Sequence, residues 1–177
     1  MKKALIIFVL FILFLISYFI QSNLFSWFTI AGVKPNLFIV LVLCIGLFAG
    51  KRAGSVLGII FGLLIDIFIG RRIGITGISL GLVGFLGGYL DKNFSKDSKI
   101  TIILMCVGTT IIYELANYVI MVLTYKIEFE TLAIIKILLI EAFFNSAIII
   151  ILYPFTRWLG YKVEDAFKGS NILTRYF

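Results

Sequence analysis

Two glutamates and two asparagines stand inside long apolar segments, where ionisable and amide side chains need an explanation. Glu114 and Asn117 share a helix face in one segment, and Glu141 and Asn145 share a face in the next. A charged side chain at the centre of a bilayer costs about 2.5 kcal/mol or more. Counted from the segment ends, the two glutamates lie at similar depth. They can share a proton, as in a proton-coupled carrier, or belong to a structural polar core, and both interpretations stay open.

A third intramembrane carboxylate, Asp66, is flanked at four-residue steps by Gly62 and Gly70. This spacing predicts that Asp66 faces protein rather than lipid, because small residues mark helix contacts in membranes. Arg71 and Arg72 follow soon after it and can form an ion pair with it at the outer interface. A ligand-binding role for Asp66 is the alternative, and the sequence does not choose between them.

The residue patterns of most membrane hydrolases and metallopeptidases are missing. The sequence has no histidine, which is the commonest general base and a common metal ligand. Cys44 and Cys106 lie separately in the middle of apolar blocks, and no C-x-x-C pair indicates a zinc site or a disulfide framework. An aspartyl membrane protease needs two intramembrane aspartates, and only Asp66 qualifies. We therefore predict no catalytic residue, no metal site and no cofactor.

The composition indicates that lipid is the solvent for most of the chain. Of its 177 residues, 62% are hydrophobic and 14% are charged. A soluble domain has roughly 25% charged residues. The apolar residues form nearly unbroken blocks, such as 4–20 and 100–123, without an alternating polar face. The sequence therefore predicts an all-α integral membrane protein.

The elements that hold these side chains are six predicted transmembrane helices. We expect one transmembrane domain, 1–156, followed by a short basic tail, 157–177. Pro35 suits the first turn of the second span, and Pro154 is expected to end the last one. Spans two and three are short and form either a tight hairpin or a partly re-entrant pair. The predicted spans are 4–20, 36–50, 53–70, 73–90, 100–124 and 132–153.

The basic residues predict the orientation of the spans. With the N-terminus inside, eleven lysines and arginines fall in cytoplasmic segments and four on the opposite side. Cytoplasmic loops carry the excess of positive charge, so both termini are expected in the cytoplasm. The net charge of +7 is then explained by topology and by anionic membrane lipids, without a nucleic-acid partner.

Glycines mark the middle of the sequence, where 12 of the 16 lie between positions 46 and 88. In the fourth span, five of them alternate steps of three and four residues and therefore share one face. This glycine seam is either a sliding or partner-binding surface, or tight internal packing against the third span. Its members are Gly74, Gly77, Gly81, Gly84 and Gly88.

Two short motifs, one before the second span and one in the third, resemble the MreD family of bacterial rod-shape-determining membrane proteins. One is a K-P-[ND] sequence before a helix, and the other is a G-x-x-x-G-L-x-x-D segment with a further glycine soon after it. The length, the hydropathy of six helices and the short basic tail also fit that family. The matching residues are Lys34, Pro35, Asn36, Gly58, Gly62, Leu63, Asp66 and Gly70.

The resemblance implies a non-enzymatic scaffold of the wall-elongation machinery in the bacterial plasma membrane. The implied partner is MreC, a single-span protein with a periplasmic domain, within an assembly that also contains MreB, RodA and a transpeptidase. The implied fold is similar to the substrate-binding subunits of energy-coupling-factor transporters.

That fold similarity supplies a rival function, a membrane subunit that binds a small molecule such as a vitamin. Those subunits usually carry a small-residue docking motif in their first helix. Here the first span is bulky, and Ser17 is the only small residue in 5–20. This difference favours the scaffold. A secondary transporter would predict an inverted repeat, and none is found in the sequence.

Overall fold

The computed structural model describes residues 2–25, 27–69, 73–93, 98–126 and 130–167. This part of the chain folds into six α-helices and contains no β-strand, as the sequence predicted. The helices are α1 (Lys2–Asn23), α2 (Leu37–Ala49), α3 (Lys51–Ile69), α4 (Ile75–Asn93), α5 (Lys99–Tyr125) and α6 (Thr131–Phe167).

Four of these helices, α1, α3, α5 and α6, contain stretches that are long and apolar enough to cross a membrane, while α2 and α4 are shorter apolar helices. Odd-numbered helices run in one direction and even-numbered helices in the other. Contacts between helices that are not consecutive show this direction. Phe14 and Tyr18 of α1 meet Phe61 and Phe68 of α3 in the same order, so these helices are parallel. Asn36 at the start of α2 and Phe48 near its end likewise meet Asn145 and Gly160 of α6.

The short helix α2 is the centre of the bundle. Eleven of its 13 residues are buried, and it contacts all five other helices. At 1.5 Å per residue, α2 is about 20 Å long, which is shorter than a hydrocarbon core of about 30 Å. A helix that is apolar on every side is buried in protein or lipid, and here protein covers it. Of the two short spans, α3 has the length to cross and α2 does not.

The two prolines lie differently from the prediction. Pro35 does not occupy the first turn of α2, because Asn36 is the N-cap and Pro35 precedes it. Pro154 does not end the last helix, because α6 continues through it to Phe167. A proline removes only one helical hydrogen bond, and neighbouring helices compensate for this in a membrane bundle. Residues 157–167 of the expected tail are therefore helical, and 168–177 lie outside the described residues.

The first helix lies at the edge of the bundle. Only Leu10 and Phe14 of its described side chains are buried, and the Phe14 ring stacks on Phe61 of α3 with centroids 4.8 Å apart. The end of α1 is held through Gln21, whose Nε2 donates to the Pro35 carbonyl at 2.7 Å. Its Oε1 accepts from the backbone N–H of Leu37 at 3.1 Å. One side chain thus ties α1 to the start of α2.

Candidate functional site

The antiparallel contact between α5 and α6 brings the intramembrane polar residues together. Asn145 Nδ2 donates to Thr110 Oγ1 at 3.1 Å, and both side chains are completely buried. One turn after Thr110 in α5 and one turn before Asn145 in α6, Glu114 and Glu141 come next to each other. The sequence predicted the matched depth of the two glutamates, and the structure adds the contact between their helices.

The start of α2 enters the same cluster through Asn36. Its backbone N–H donates to Asn145 Oδ1 at 2.8 Å, and its own Oδ1 accepts from the N–H of Phe38 as an N-cap. The Asn36 side chain also lies close to Glu141 and to Tyr113. One asparagine therefore caps α2 and joins it to α5 and α6.

Sequence reasoning assigned Asn36 only to a family motif and did not assign Tyr113 to any site. An asparagine directly before an apolar run is a recognised N-cap signal, and this signal identifies the cap but not the contact with α6. The predicted residue Asn117 is half-buried one turn beyond Glu114. Among the described residues, it forms no hydrogen bond with the cluster.

The electrostatics of the polar cluster are unusual for a membrane interior. In the described part of the chain, no lysine or arginine pairs with Glu114 or Glu141. Glu141 is only 5% exposed, and within the described part of the chain its Oε1 has no hydrogen-bond partner. Two adjacent carboxyls without a cation cannot both be ionised at low cost. One O–H can donate to the other carboxyl, so the arrangement can hold a proton, and the N-terminal end of the α2 dipole favours any negative charge that remains.

Asp66 has a different role, because its carboxylate caps the start of α4. Its Oδ2 accepts from the backbone N–H of Gly74 at 2.8 Å and of Gly77 at 3.4 Å, and the residue is buried. Helix N-termini leave N–H groups without partners and favour negative charge, so the carboxylate meets both needs. Gly74 has φ +101°, a backbone conformation in which glycine has no steric penalty. Gly70 and the arginines expected to pair with Asp66 lie outside the described residues.

The glycine seam of α4 is covered mainly by α3. A Cβ at Gly81 would lie 2.5 Å from Ile59 Cγ1, and one at Gly77 would lie 3.1 Å from Leu63 Cγ. Gly84 meets the backbone of Gly54, and Gly88 meets that of Lys51 at the start of α3. Gly74 is the exception, since nothing lies within 4 Å of its Cβ position.

The glycines of α3 complete this close contact between backbones. A Cβ at Gly62 would lie 2.5 Å from the Thr76 carbonyl oxygen, and one at Gly58 would lie 3.0 Å from Val42 Cγ1 of α2. Small residues allow helices to approach closely in lipid, where burial of apolar surface gives little drive for association. The seam glycines other than Gly74 therefore act in internal packing and are not available as an open surface.

The residue motifs on which the resemblance rested now have structural positions. Glycines and Asp66 join α3 to α4, and Pro35 and Asn36 fix the start of α2. The family model for the rod shape-determining protein MreD matches residues 1–163 of the 177-residue chain. The chain belongs to the MreD family. No significant match is found among curated proteins or among solved structures.

The MreD match extends beyond the motifs of the middle region to part or all of every helix. Together with the membrane-spanning helices, it establishes a multi-pass membrane protein with a role in rod-shape determination. MreD proteins are shape-determining structural proteins associated with the rod-shape machinery. The polar cluster and the glycine seam are thus structural features of an MreD protein.

Proposed function

We propose that this MreD-family protein is a non-enzymatic scaffold of the peptidoglycan elongation complex in the bacterial plasma membrane. It binds an MreC-like single-span protein through its transmembrane helices. Through that partner it joins a wider assembly with MreB, RodA and a transpeptidase. The observation that carries the proposal is the family match over residues 1–163, which includes every helix that could offer a docking surface.

The packing of the interior supports a scaffold role. Backbones of α2, α3 and α4 meet through glycines, and the polar cluster ties α2 to α5 and α6. Interfaces of this kind have few alternative arrangements, because a shift of one helix would leave buried polar groups without partners. The glycine seam and Asp66 therefore hold the docking surface in shape rather than form it.

The outer face of α1 is the best candidate for contact with a single transmembrane helix. Leu5, Phe8 and Phe19 are 65%, 60% and 65% exposed, whereas only Leu10 and Phe14 among the described side chains of α1 are buried against the bundle. Association of helices in lipid depends on close side-chain packing, and the large exposed side chains of α1 can pack between the side chains of a partner helix. We assign the MreC-like partner to this face.

Co-purification from native membranes tests this function. A tagged chain would be solubilised in mild detergent, and the co-purifying proteins would be identified by mass spectrometry. We expect an MreC-like protein together with wall-synthesis enzymes. Recovery of a coupling protein with ATPase subunits would contradict the scaffold and establish an energy-coupling-factor transporter instead.

A cavity lies between α1, α2 and α6. The chemistry of its lining favours the scaffold over a vitamin-binding subunit. A site for a polar small molecule combines apolar walls with several convergent polar groups. The lining of this cavity offers only Ser17, Cys44 and Thr156 as side chains with a polar or sulfur atom. Such a lining suits hydrocarbon better than a vitamin.

A further inference from the structure

An apolar cavity of about 640 Å³ lies between α1, α2 and α6. Its walls include Leu13 of α1, Leu41 of α2 and Leu152 of α6. Water in a space of this kind would find almost no hydrogen-bond partners, and an empty space would lose dispersion contacts along every wall. The space lies beside α1, at the edge of the bundle, where hydrocarbon is the surrounding solvent. Hydrocarbon is therefore the matching occupant.

The cavity is elongated and runs along α2. The α2 wall extends from Leu37 to Phe48, which corresponds to about 16 Å at 1.5 Å per residue. A linear hydrocarbon chain can lie along a wall of this length.

A basic residue stands at one end of the cavity. Gly160 and Val163 line that end, and Lys162 lies one turn beyond the lining residue Leu159 on the same side of α6. Lys162 is exposed, and its Nζ lies 3.7 Å above the ring of Trp158. Trp beside Lys is the typical side-chain pair at the headgroup level of a membrane. An ammonium there attracts a lipid phosphate.

We propose that this cavity binds an acyl chain of an anionic glycerophospholipid, with the lipid headgroup held at Lys162. The bound chain fills the space between α1 and the bundle. It completes the packing of α1, of whose described side chains only Leu10 and Phe14 are buried. This inference concerns a lipid site and does not depend on the proposed scaffold role.

Native mass spectrometry of the purified full chain tests the site. The protein would be released from a mild detergent that contains equal amounts of phosphatidylglycerol and phosphatidylcholine. We expect one tightly held phospholipid on the wild type. Ser17→Phe places a ring in the cavity and should abolish the lipid-bound species, and Cys44→Leu should reduce it from the α2 side. The matched control is Ala4→Phe, at an exposed α1 position that does not line the cavity, and it should bind like the wild type.

The headgroup is tested with two exposed basic residues of α6. Lys162→Gln should lower the preference for phosphatidylglycerol about fivefold, since one lysine near an anionic headgroup contributes about 1 kcal/mol. Arg157 lies on the other side of α6 and lines a separate pocket with Lys99, so Arg157→Gln should leave the preference unchanged.

Three results would overturn the lipid site. The first is a wild type without phospholipid, and the second is folded cavity variants that bind lipid as the wild type does. The third is a partner helix cross-linked inside the cavity in place of lipid. If Ser17→Phe and Cys44→Leu fail to fold, as judged by size-exclusion profile, the surface variant Lys162→Gln decides, and an unchanged lipid preference in it counts against the proposal.

Discussion

At the scale of single residues, Asp66 of α3 caps a different helix, because its carboxylate accepts hydrogen bonds at the start of α4. It accepts two backbone hydrogen bonds at the start of α4, and hydrogen bonds to a charged group contribute about 1.5–3 kcal/mol. The sequence placed Asp66 against protein but offered only an ion pair or a ligand as its partner. Backbone N–H groups of another helix carry no residue-type signal, so the sequence could not reveal this partner.

Asp66→Ala should lower the stability of the protein by about 2 kcal/mol, because the first turn of α4 loses its cap. Asp66→Asn keeps the shape of the side chain and one acceptor oxygen, so it should lower the stability clearly less than Asp66→Ala does. Thermal unfolding in detergent and the steady-state protein level measure the effect. An alanine variant with wild-type stability and wild-type complex assembly would exclude any role for this carboxylate.

A substitution in the pair of Glu114 and Glu141 can distinguish a structural role of these side chains from a role in proton exchange. Glu141→Gln keeps the size of the side chain and its hydrogen-bonding capacity, and it removes one of two carboxyls that have no cation beside them among the described residues. We expect unchanged or slightly higher thermal stability and normal rod shape in cells, because a neutral partner costs less to bury. Glu141→Ala is the comparison variant and should destabilise the protein by leaving the polar groups around it without a partner.

A folded Glu141→Gln protein that fails to support rod shape would contradict the structural role of the pair. It would show that the ability to exchange a proton matters, as in the proton-coupled interpretation.

At the scale of elements, the α3–α4 hairpin shows what a pattern of glycines can and cannot predict. The steps of three and four residues identified a shared face correctly, since they follow from helix geometry alone. They did not tell whether another span or a partner covers that face, because glycine offers no side chain that would indicate its neighbour. Gly74 also fits the spacing, yet it precedes α4 with φ +101°, and no described residue covers its Cβ position.

Gly84→Ala should destabilise the hairpin by about 1–3 kcal/mol, because the new methyl group would meet the backbone of Gly54 and Ser55. The matched control is Gly108→Ala in α5, where nothing lies within 4 Å of the Cβ position. That control should be neutral or stabilising by up to about 1 kcal/mol, since alanine favours helix over glycine. Thermal unfolding of the two variants side by side measures the contrast, and equal effects would contradict the close packing of the hairpin.

The sequence predicts helix ends to within a few residues except at Pro154, which lies inside α6 and does not end it. Pro154 would end a helix in water, where an interrupted helix finds solvent partners for its backbone. In a membrane bundle, continuing the helix keeps all other backbone hydrogen bonds, so the single lost bond is the smaller cost. The expected boundary of the tail at 157 followed from the same assumption.

At the scale of the whole molecule, hydropathy predicted an all-α membrane protein with six helices but not which helix is central. A lipid-facing helix and a helix buried among other helices have equally apolar sequences, so α2 could not be distinguished from a span. The orientation with both termini in the cytoplasm stays a prediction from the basic residues. In the structure, helices α2 to α6 are held together by close glycine contacts and by the polar cluster, whereas α1 packs loosely at the edge of the bundle.

Site-specific photo-crosslinking in growing cells tests the central claim, that this MreD-family chain is a scaffold that binds a single-span partner through its helices. A photo-reactive residue would replace Phe8 or Phe19 on the outer face of α1, with Leu104 and Val119 on the outer face of α5 as matched exposed controls. We expect adducts with an MreC-like protein from the α1 positions and few or none from the α5 positions. Adducts with a transporter coupling subunit, or no MreC-like adduct from any helix, would contradict it.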